Sequence, residues 1–184
     1  NASKMRLRML LLTVVVAAVA LTATAQSSAF LRLCDASKRN DVETAKASVE
    51  PGEIDAECGA DGMTPLLYAA KSGSVGVFSL LMEHHANAGV VHRQTGTTPL
   101  MFASREGDAV LVGAMLARND QGSVVFDPND RDRDGSSALH LAALGGYAAV
   151  ARLLTAAGAD VDGVDKRGFT SMMIASYFCA DPSF

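Results

Sequence analysis

Acidic residues with the spacing of a calcium loop lie between residues 130 and 134. Three aspartates alternate there with two arginines and precede Gly135, as in the opening of a twelve-residue calcium-binding loop. Such a loop needs a bidentate carboxylate at its twelfth position, and Leu141 stands there. The two arginines also offset the carboxylate charge. We therefore favour an exposed turn and keep a calcium-binding protein as a remote alternative.

The histidines and cysteines form no recognisable catalytic or metal-binding motif. His84 and His85 are adjacent near the end of a predicted helix, where neighbouring side chains diverge by about 100° and make a poor chelate. His92 is expected in a turn, exposed to solvent. The spacing of Cys34, Cys58 and Cys179 excludes a CxxC zinc knuckle and a disulfide-dense scaffold. We expect these cysteines to be small apolar residues or spare thiols.

Sequence motifs of phosphate, zinc-protease and serine-hydrolase sites (GxxxxGK, HExxH and GxSxG) do not occur in the chain. We therefore predict no enzyme activity, no cofactor, no metal and no small-molecule substrate; a small enzyme is a remote alternative. The 184 residues are 49% hydrophobic, enough to form the core of one ordinary domain. The net charge of −4 argues against a nucleic-acid partner.

The elements that position these residues follow from an internal repeat. A ten-residue stretch recurs from residues 61, 95, 134 and 167, each time with Gly second and Ser or Thr fourth. The hydroxyl residues are good helix N-caps, and Pro65 and Pro99 suit the first helical position. Gly73, Gly107 and Gly146 are predicted to end these short helices. The four predicted N-caps are Thr64, Thr98, Ser137 and Thr170.

A second helix is predicted after each first one, for example from Val75 to Glu83 and from Tyr147 to Ala157. Such a helix pair is too small to bury its own apolar face, so neighbouring pairs must stack. An earlier, divergent pair fits before the first clear copy, with one helix at Phe30–Ala36 and the next at Val42–Val49. The sequence therefore predicts an all-α solenoid.

The recurring stretch resembles the ankyrin repeat, whose signature is D-G-x-T-P-L-H-x-A-A. The resemblance covers about residues 30–184 and implies stacked helix–turn–helix units that bind other proteins. His140 stands at the signature histidine, which in this family bonds backbone groups of adjacent repeats. The implied units are a divergent repeat at 30–60, repeats at 61–94, 95–133 and 134–166, and a partial repeat at 167–184.

Two parts of the predicted stack are irregular. The third repeat carries extra residues within 119–128, where the apolar triplet Val124–Phe126 either packs on the stack or contacts a partner. After a predicted helix at Ser171–Cys179, no second helix closes the stack. An apolar end is then left partly uncovered, and a partner covers it or the natural chain is longer; we favour a partner. The residues of this end are Met172, Met173, Ile174, Tyr177 and Phe178.

Residues 1–29 have a different character and predict a signal peptide or a transmembrane anchor. Three basic residues precede an uncharged run at 9–31, and Ala23–Ala25 resembles a cleavage site. The same run is long enough to span a bilayer, and the basic flank would then keep the N-terminus cytosolic. Ser27–Phe30 also looks like the junction in signal peptides directed to plastids of red-algal origin. We therefore expect a membrane-associated or a secretory, luminal location.

The predicted binding surface is the concave face formed by turn tips and first helices. Arginines and aromatic residues are favoured anchors of protein interfaces. The candidate residues are Met63, Tyr68, Lys71, His92, Arg93, Phe102, Arg105, Arg131, Arg133, Leu141, Leu144, Lys166, Arg167, Phe169 and Tyr177.

We predict a non-catalytic protein-interaction module that serves as an accessory or scaffolding subunit of a membrane-associated complex, with residues 9–31 as its membrane contact. The alternative is a soluble exported or luminal ankyrin protein that binds a single protein or peptide.

Overall fold

The computed structural model describes residues 28–49, 54–117 and 125–179. These residues form short α-helices joined by turns, with an isolated bridge between Val164 and Thr170 and no longer strand, which confirms the all-helical prediction. The helices are α1 (28–39), α2 (Val42–Ser48), α3 (Pro65–Lys71), α4 (Val75–Glu83), α5 (Pro99–Glu106), α6 (Ala109–Leu116), α7 (Ala138–Leu144), α8 (Ala148–Ala156) and α9 (Ser171–Cys179).

The first helices of the four clear repeats, α3, α5, α7 and α9, begin at the predicted residues. The hydroxyls of Thr64, Thr98 and Thr170 each accept a backbone N–H three residues on, at 3.3–3.4 Å. Ser137 occupies the equivalent place, but its hydroxyl is hydrogen-bonded to Nδ1 of His140 at 2.8 Å. The four residues therefore hold equivalent positions in a regular stack.

The helices pack in two layers. In one layer α3 contacts α5, α5 contacts α7 and α7 contacts α9; in the other α2 contacts α4, α4 contacts α6 and α6 contacts α8. The second helices α4, α6 and α8 also contact the first helix of their own repeat. The core lies between the layers and contains fully buried side chains such as Leu67, Met101, Leu111 and Leu154.

The turn tips of consecutive repeats are hydrogen-bonded through their backbones. The N–H of Arg133 donates to the carbonyl of Thr95 at 2.8 Å, and the N–H of Lys166 donates to the carbonyl of Asp134 at 3.0 Å. This close approach requires glycine at the tips. At Gly135 (φ 76°) an added Cβ would lie 3.0 Å from the backbone N of Lys166, and the left-handed backbone itself disfavours other residues.

The N-terminal repeat is closed by a disulfide bond that the sequence analysis did not predict. Cys34 of α1 and Cys58 of the turn before α3 are bonded, with their Cα atoms 5.7 Å apart. The expectation of unbonded cysteines was wrong for this pair, because stacking of α1 beside α3 brings together residues separated by 24 positions. Cys34 is nevertheless buried in the core, as expected. The side chain of Cys179 lies outside the described part.

The extra loop of the third repeat is partly described. Phe126 is buried and its ring centroid lies 5.7 Å from that of Phe78, so this residue packs on the stack. Val125 is exposed and Val124 lies outside the described residues.

The predicted signal or anchor segment at 1–29 lies outside the described residues except for its last two positions. Within the described ranges, no helix has both the length and the apolar character needed to cross a membrane.

Candidate protein-interaction face

The structure places most of the predicted surface residues at the surface, with two exceptions. Met63 and Phe102 are only 4% exposed, because Met63 packs into the core below its tip and Phe102 lies between neighbouring repeats. These two residues are corrected from surface to core. Tyr68, His92 and Leu141 are half-buried. The exposed residues are Lys71, Arg93, Arg105, Arg131, Arg133, Leu144, Lys166, Arg167, Phe169 and Tyr177.

Four exposed residues occupy the same position in successive first helices: Lys71, Arg105, Leu144 and Tyr177. Because these helices pack side by side in register, we treat the four side chains as one stripe across the stack. The stripe is cationic on α3 and α5 and apolar on α7 and α9. A single extended polypeptide that crosses it meets both kinds of surface.

The cations near the N-terminal half of the stripe lie over aromatic rings. Nζ of Lys38 is 4.4 Å from the ring centroid of Tyr68, and Cζ of Arg105 is 4.9 Å from that of Phe102. Such cation–π contacts contribute about 0.5–1 kcal/mol at exposed sites. They restrict the side chains and therefore lower the entropy that binding costs.

Tyr68 also links its helix to the preceding tip. Its hydroxyl donates a hydrogen bond to the carboxylate of Asp61. Burial, followed by this hydrogen bond and the Asp61 charge, raises the pKa of Tyr68 to about 12. The same hydrogen bond is the main cause that lowers the pKa of Asp61. At neutral pH the pair is therefore a neutral phenol bound to a carboxylate.

His92 bridges two tips and is not the solvated residue that the sequence predicted. Nε2 of His92 lies 2.8 Å from the carbonyl oxygen of Asp61, and Nδ1 lies 2.7 Å from Oγ1 of Thr95. A carbonyl oxygen only accepts, so Nε2 carries a proton. The ring also meets Phe102 edge-on at 6.1 Å between centroids. This histidine orders the tips and does not project from them.

His140 has the structural role that the resemblance implies. It is fully buried, and Nδ1 accepts the backbone N–H of Ser137 at 3.2 Å. Nε2 lies 3.1 Å from the carbonyl oxygen of Phe169 in the next repeat, to which it must donate. His140 therefore ties α7 to the tip that precedes α9.

The tip arginines differ in what they contact. The guanidinium of Arg131 donates to the carbonyls of Gly135 at 2.8 Å and Val164 at 2.7 Å, so Arg131 joins two tips. By contrast, Arg133 and Lys166 make no ion pair with any described residue. These two cations are therefore free to meet a partner's carboxylates.

The C-terminal tip is ordered around a buried carboxylate. Asp165 accepts the backbone N–H groups of Phe169 and Arg167, each at 2.9 Å, and pairs with the Arg167 guanidinium at 3.0 Å. The Phe169 hydrogen bond, followed by the Arg167 contacts, lowers the pKa of Asp165. Arg167 therefore positions this tip as well as contributing to its surface.

The aspartates with calcium-loop spacing stabilise their own turn. Oδ1 of Asp132 accepts the backbone N–H groups of Asp134 at 2.9 Å and Ser136 at 2.8 Å. Burial and the neighbouring Asp127 charge raise the pKa of Asp130. In the described part of the chain, no three His, Cys, Asp or Glu residues are grouped so that they could hold a metal ion.

Stacked helix pairs, hydrogen-bonded tips and an exposed stripe of cationic and apolar side chains define a helical-repeat solenoid of the protein-binding class. A family model described as ankyrin repeats (3 copies) matches residues 33–124 and 111–181. These matches cover most of the chain, so the chain belongs to the ankyrin repeat family. Proteins of this family are generally non-catalytic modules for protein–protein interaction.

Curated relatives share the repeats. An ankyrin repeat and KH domain-containing protein of Caenorhabditis briggsae is 40% identical over 116 residues, which is 62% of this chain and 4% of that protein. A protein of the same description from Caenorhabditis elegans, mask-1, is 37% identical over 116 residues, again 62% and 4%. Zygote-specific protein 3 of Chlamydomonas reinhardtii is 42% identical over 83 residues, 45% of this chain and 20% of that protein. The chain thus spans a small part of these relatives.

Proposed function

We propose that this protein is an accessory subunit of a membrane-associated complex and binds a partner polypeptide on the non-cytosolic side of that membrane. The stripe carries the binding part of the proposal, because its polarity changes from Lys71 and Arg105 to Leu144 and Tyr177. A partner segment that fits it carries carboxylates near α3 and α5 and apolar side chains near α7 and α9.

The cations of the stripe are available for such a partner. Lys71 forms no ion pair with a described residue, and Arg105 contacts Glu106 at 3.4 Å with both side chains over 40% exposed. An exposed ion pair of that kind contributes little, about 0–1 kcal/mol, so a partner carboxylate can replace it.

The disulfide supports the non-cytosolic location. Bonds such as Cys34–Cys58 persist in secretory and extracellular compartments and are rare in the reducing cytosol. The basic flank and the uncharged run at 9–31 agree, whether they anchor the protein or direct its export. A soluble exported or luminal form is the second candidate, and Ala23–Ala25 favours it as a cleavage site.

The binding proposal is tested by selecting peptides from a displayed random library against the full chain. We expect enriched peptides with acidic residues beside apolar ones, whose binding the double variant Lys71→Glu/Arg105→Glu abolishes. The control pair Lys46→Glu with Arg152→Glu reverses two exposed charges on the second helices α2 and α8, changes the net charge by the same amount and should leave binding intact. Enrichment of peptides that bind the double variant equally well would overturn the assignment of this face.

The location is tested separately on the protein isolated from its source. The proposal predicts that it stays in the membrane after alkaline carbonate extraction, retains residues 9–31 and contains no free thiol at Cys34 or Cys58. A soluble protein that begins near Gln26 would support the exported alternative and overturn the anchored form. Free thiols at both cysteines would contradict a non-cytosolic location. Identification of the organelle also tests the plastid location expected from the signal-peptide junction at Ser27–Phe30.

A further inference from the structure

An apolar groove of about 320 Å³ lies at the C-terminal end of the stack, between α7, α8 and α9. Several of the residues that line it are small, including Ala143, Ala148, Ala151 and Ala175. Small side chains at a helix surface allow a neighbouring helix to approach closely. The groove is therefore shaped for a helix more than for an extended strand.

The groove is the next place in the row of second helices. α4 packs on α2, α6 packs on α4, and α8 packs on α6, while each of α4, α6 and α8 also packs on its own first helix. α9 is a first helix, and the position beside both α8 and α9 is where the groove lies. A helix is therefore the element that fits this position.

The second helices fill their places with one pattern of apolar residues. In all three helices the third, fourth and seventh residues after the N-cap are buried or half-buried, a shared spacing of i, i+1 and i+4. They are Val77, Phe78 and Leu81 in α4, Leu111, Val112 and Met115 in α6, and Val150, Ala151 and Leu154 in α8.

A buried polar atom lies beside the groove without a partner. Ser171 lines the groove, is 6% exposed, and its Oγ forms no hydrogen bond with any described residue. By contrast, the hydroxyl of Thr155, also in the lining, donates to backbone carbonyls of its own helix at 3.0 Å. An unpaired buried hydroxyl destabilises the free protein, and a polar group of an occupant can satisfy it.

We propose that this groove binds an amphipathic α-helix of another protein, which presents apolar residues at i, i+1 and i+4 in the place of a second helix. A second copy of this chain does not offer that pattern from its described helices. On α9 the exposed Met172 and Met173 are followed at the required spacing by Ser176, and the apolar set Met173, Ile174 and Tyr177 includes the buried Ile174. On α6 the exposed Val110 is followed by the buried Leu111.

The test uses a fluorescein-labelled helical peptide with Val, Phe and Leu in the spacing of α4, on a host of Ala, Lys and Glu. Its control places the same three residues at i, i+2 and i+5. Fluorescence anisotropy with the full chain should show saturable binding of the first peptide and at least about tenfold weaker binding of the control. Equal binding of both peptides would overturn the proposal.

Two matched variants assign the binding to the groove. Ala148 and Ala149 are both exposed in the free chain, but only Ala148 lines the groove. Ala148→Glu therefore places a charge in the binding site, and Ala149→Glu places the same charge outside it. We expect loss of at least about tenfold in affinity for Ala148→Glu and none for Ala149→Glu, because a peptide bound in the groove would bury the charge at position 148 without a partner. Wild-type affinity of the Ala148→Glu variant would overturn the proposal, as would a loss common to both variants.

Two further measurements exclude other occupants. Light scattering that finds a dimer abolished by Ala148→Glu would assign the groove to a second copy and overturn the proposal. A photo-crosslink from position 172 to residues 180–184 of the same chain would assign it to the chain's own sequence, with the same consequence. A monomer that crosslinks from position 172 to the added peptide supports the proposal. Lys71→Glu/Arg105→Glu should not alter this binding, which separates it from the function of the stripe.

Discussion

The two ends of the stack meet the same physical problem in different ways. Within the described residues, the first and the last repeat each have a neighbouring repeat on one side only, so one apolar face of each is not covered by a described repeat. At the N-terminal end, the Cys34–Cys58 disulfide joins α1 to the tip before α3, and Ser72 Oγ donates to the carbonyl of Ser37 at 2.8 Å. At the C-terminal end, Met172 and Tyr177 remain 73% and 75% exposed. One end is fastened covalently, whereas the other retains an apolar surface.

The difference shows that the two ends of the described stack differ in how an apolar face is stabilised. A cross-link stabilises a repeat without needing an additional apolar neighbour. Exposed apolar side chains, by contrast, contribute free energy when a second surface covers them. We call the cross-linked N-terminal end the closed end and the C-terminal end, with its apolar groove, the open end; the stripe runs across the first helices of both.

The largest expected effect comes from opening the closed end. The double variant Cys34→Ala/Cys58→Ala should lower the free energy of unfolding of the N-terminal repeat by about 3 kcal/mol, because the disulfide closes a loop of 24 residues. Urea unfolding monitored by far-UV circular dichroism measures the change.

Wild-type protein under reducing conditions is the control for the cysteine variant and should show a similar loss. The C-terminal end should be unaffected by either treatment. Unchanged stability of the double variant would contradict the contrast between the two ends, since the N-terminal repeat would then not depend on its cross-link.

The second effect concerns the hydrogen bond that holds α9 on the stack. His140→Ala removes the donor to the Phe169 carbonyl and leaves a cavity, so we expect a loss of about 2–3 kcal/mol. Hydrogen exchange should rise mainly in α9. His92→Ala, which breaks a half-buried bridge between two earlier tips, should cost less and leave α9 protected. A uniform rise along the chain in His140→Ala would show that α9 is not a separate cooperative unit.

The third effect is a pH dependence of the open end. The pKa of Asp165 is lower in the folded state than in the unfolded state. Its carboxylate therefore contributes fully to stability at any pH above the unfolded-state pKa near 3.8, and this contribution is lost as the pH falls through the folded-state pKa. Asp165→Asn retains an acceptor oxygen but does not titrate.

Urea midpoints at pH 7 and pH 3 test this effect. The wild type should lose more stability on acidification than Asp165→Asn. The lowered pKa values of Asp41 and Asp61 act at the other end in both proteins and cancel in the comparison. Identical pH profiles would show that Asp165 does not stabilise the tip through its charge.

The smallest effect lies between the ends. Ser104 is fully buried in α5, and its hydroxyl has no hydrogen-bond partner within the described ranges. Ala70 and Ala143 occupy the equivalent positions of α3 and α7. Ser104→Ala should therefore raise the unfolding free energy by up to about 1 kcal/mol, measured by urea unfolding. A loss of stability would contradict this prediction, because it would show that the hydroxyl is hydrogen-bonded in the folded protein.

Local patterns made the repeats predictable from sequence. The N-cap hydroxyls, Pro65 and Pro99, and the helix-ending glycines each act within one turn, so α4 and α9 have the predicted bounds. The role of His140 followed from the resemblance. These features depend on residues close in sequence or on the recurring ten-residue motif, and both can be read from the sequence alone.

Contacts across repeats were harder to predict. The pairing of Cys34 with Cys58 depends on how a divergent repeat stacks on its neighbour, and its sequence carries no tip motif. Phe102 and Met63 are buried in the core that the stacked repeats share. Whether Arg131 or Arg133 is free depends on a carbonyl in the following tip. None of these has a local signature in the sequence.

Native-state hydrogen exchange of the oxidised full chain tests the contrast between the two ends most directly. The account predicts that α1 and α2 are protected nearly as well as the central helices and that α9 exchanges first, with protection of α9 rising when the helical peptide binds. Exchange of α1 and α2 ahead of α9 while the disulfide is intact would contradict the account.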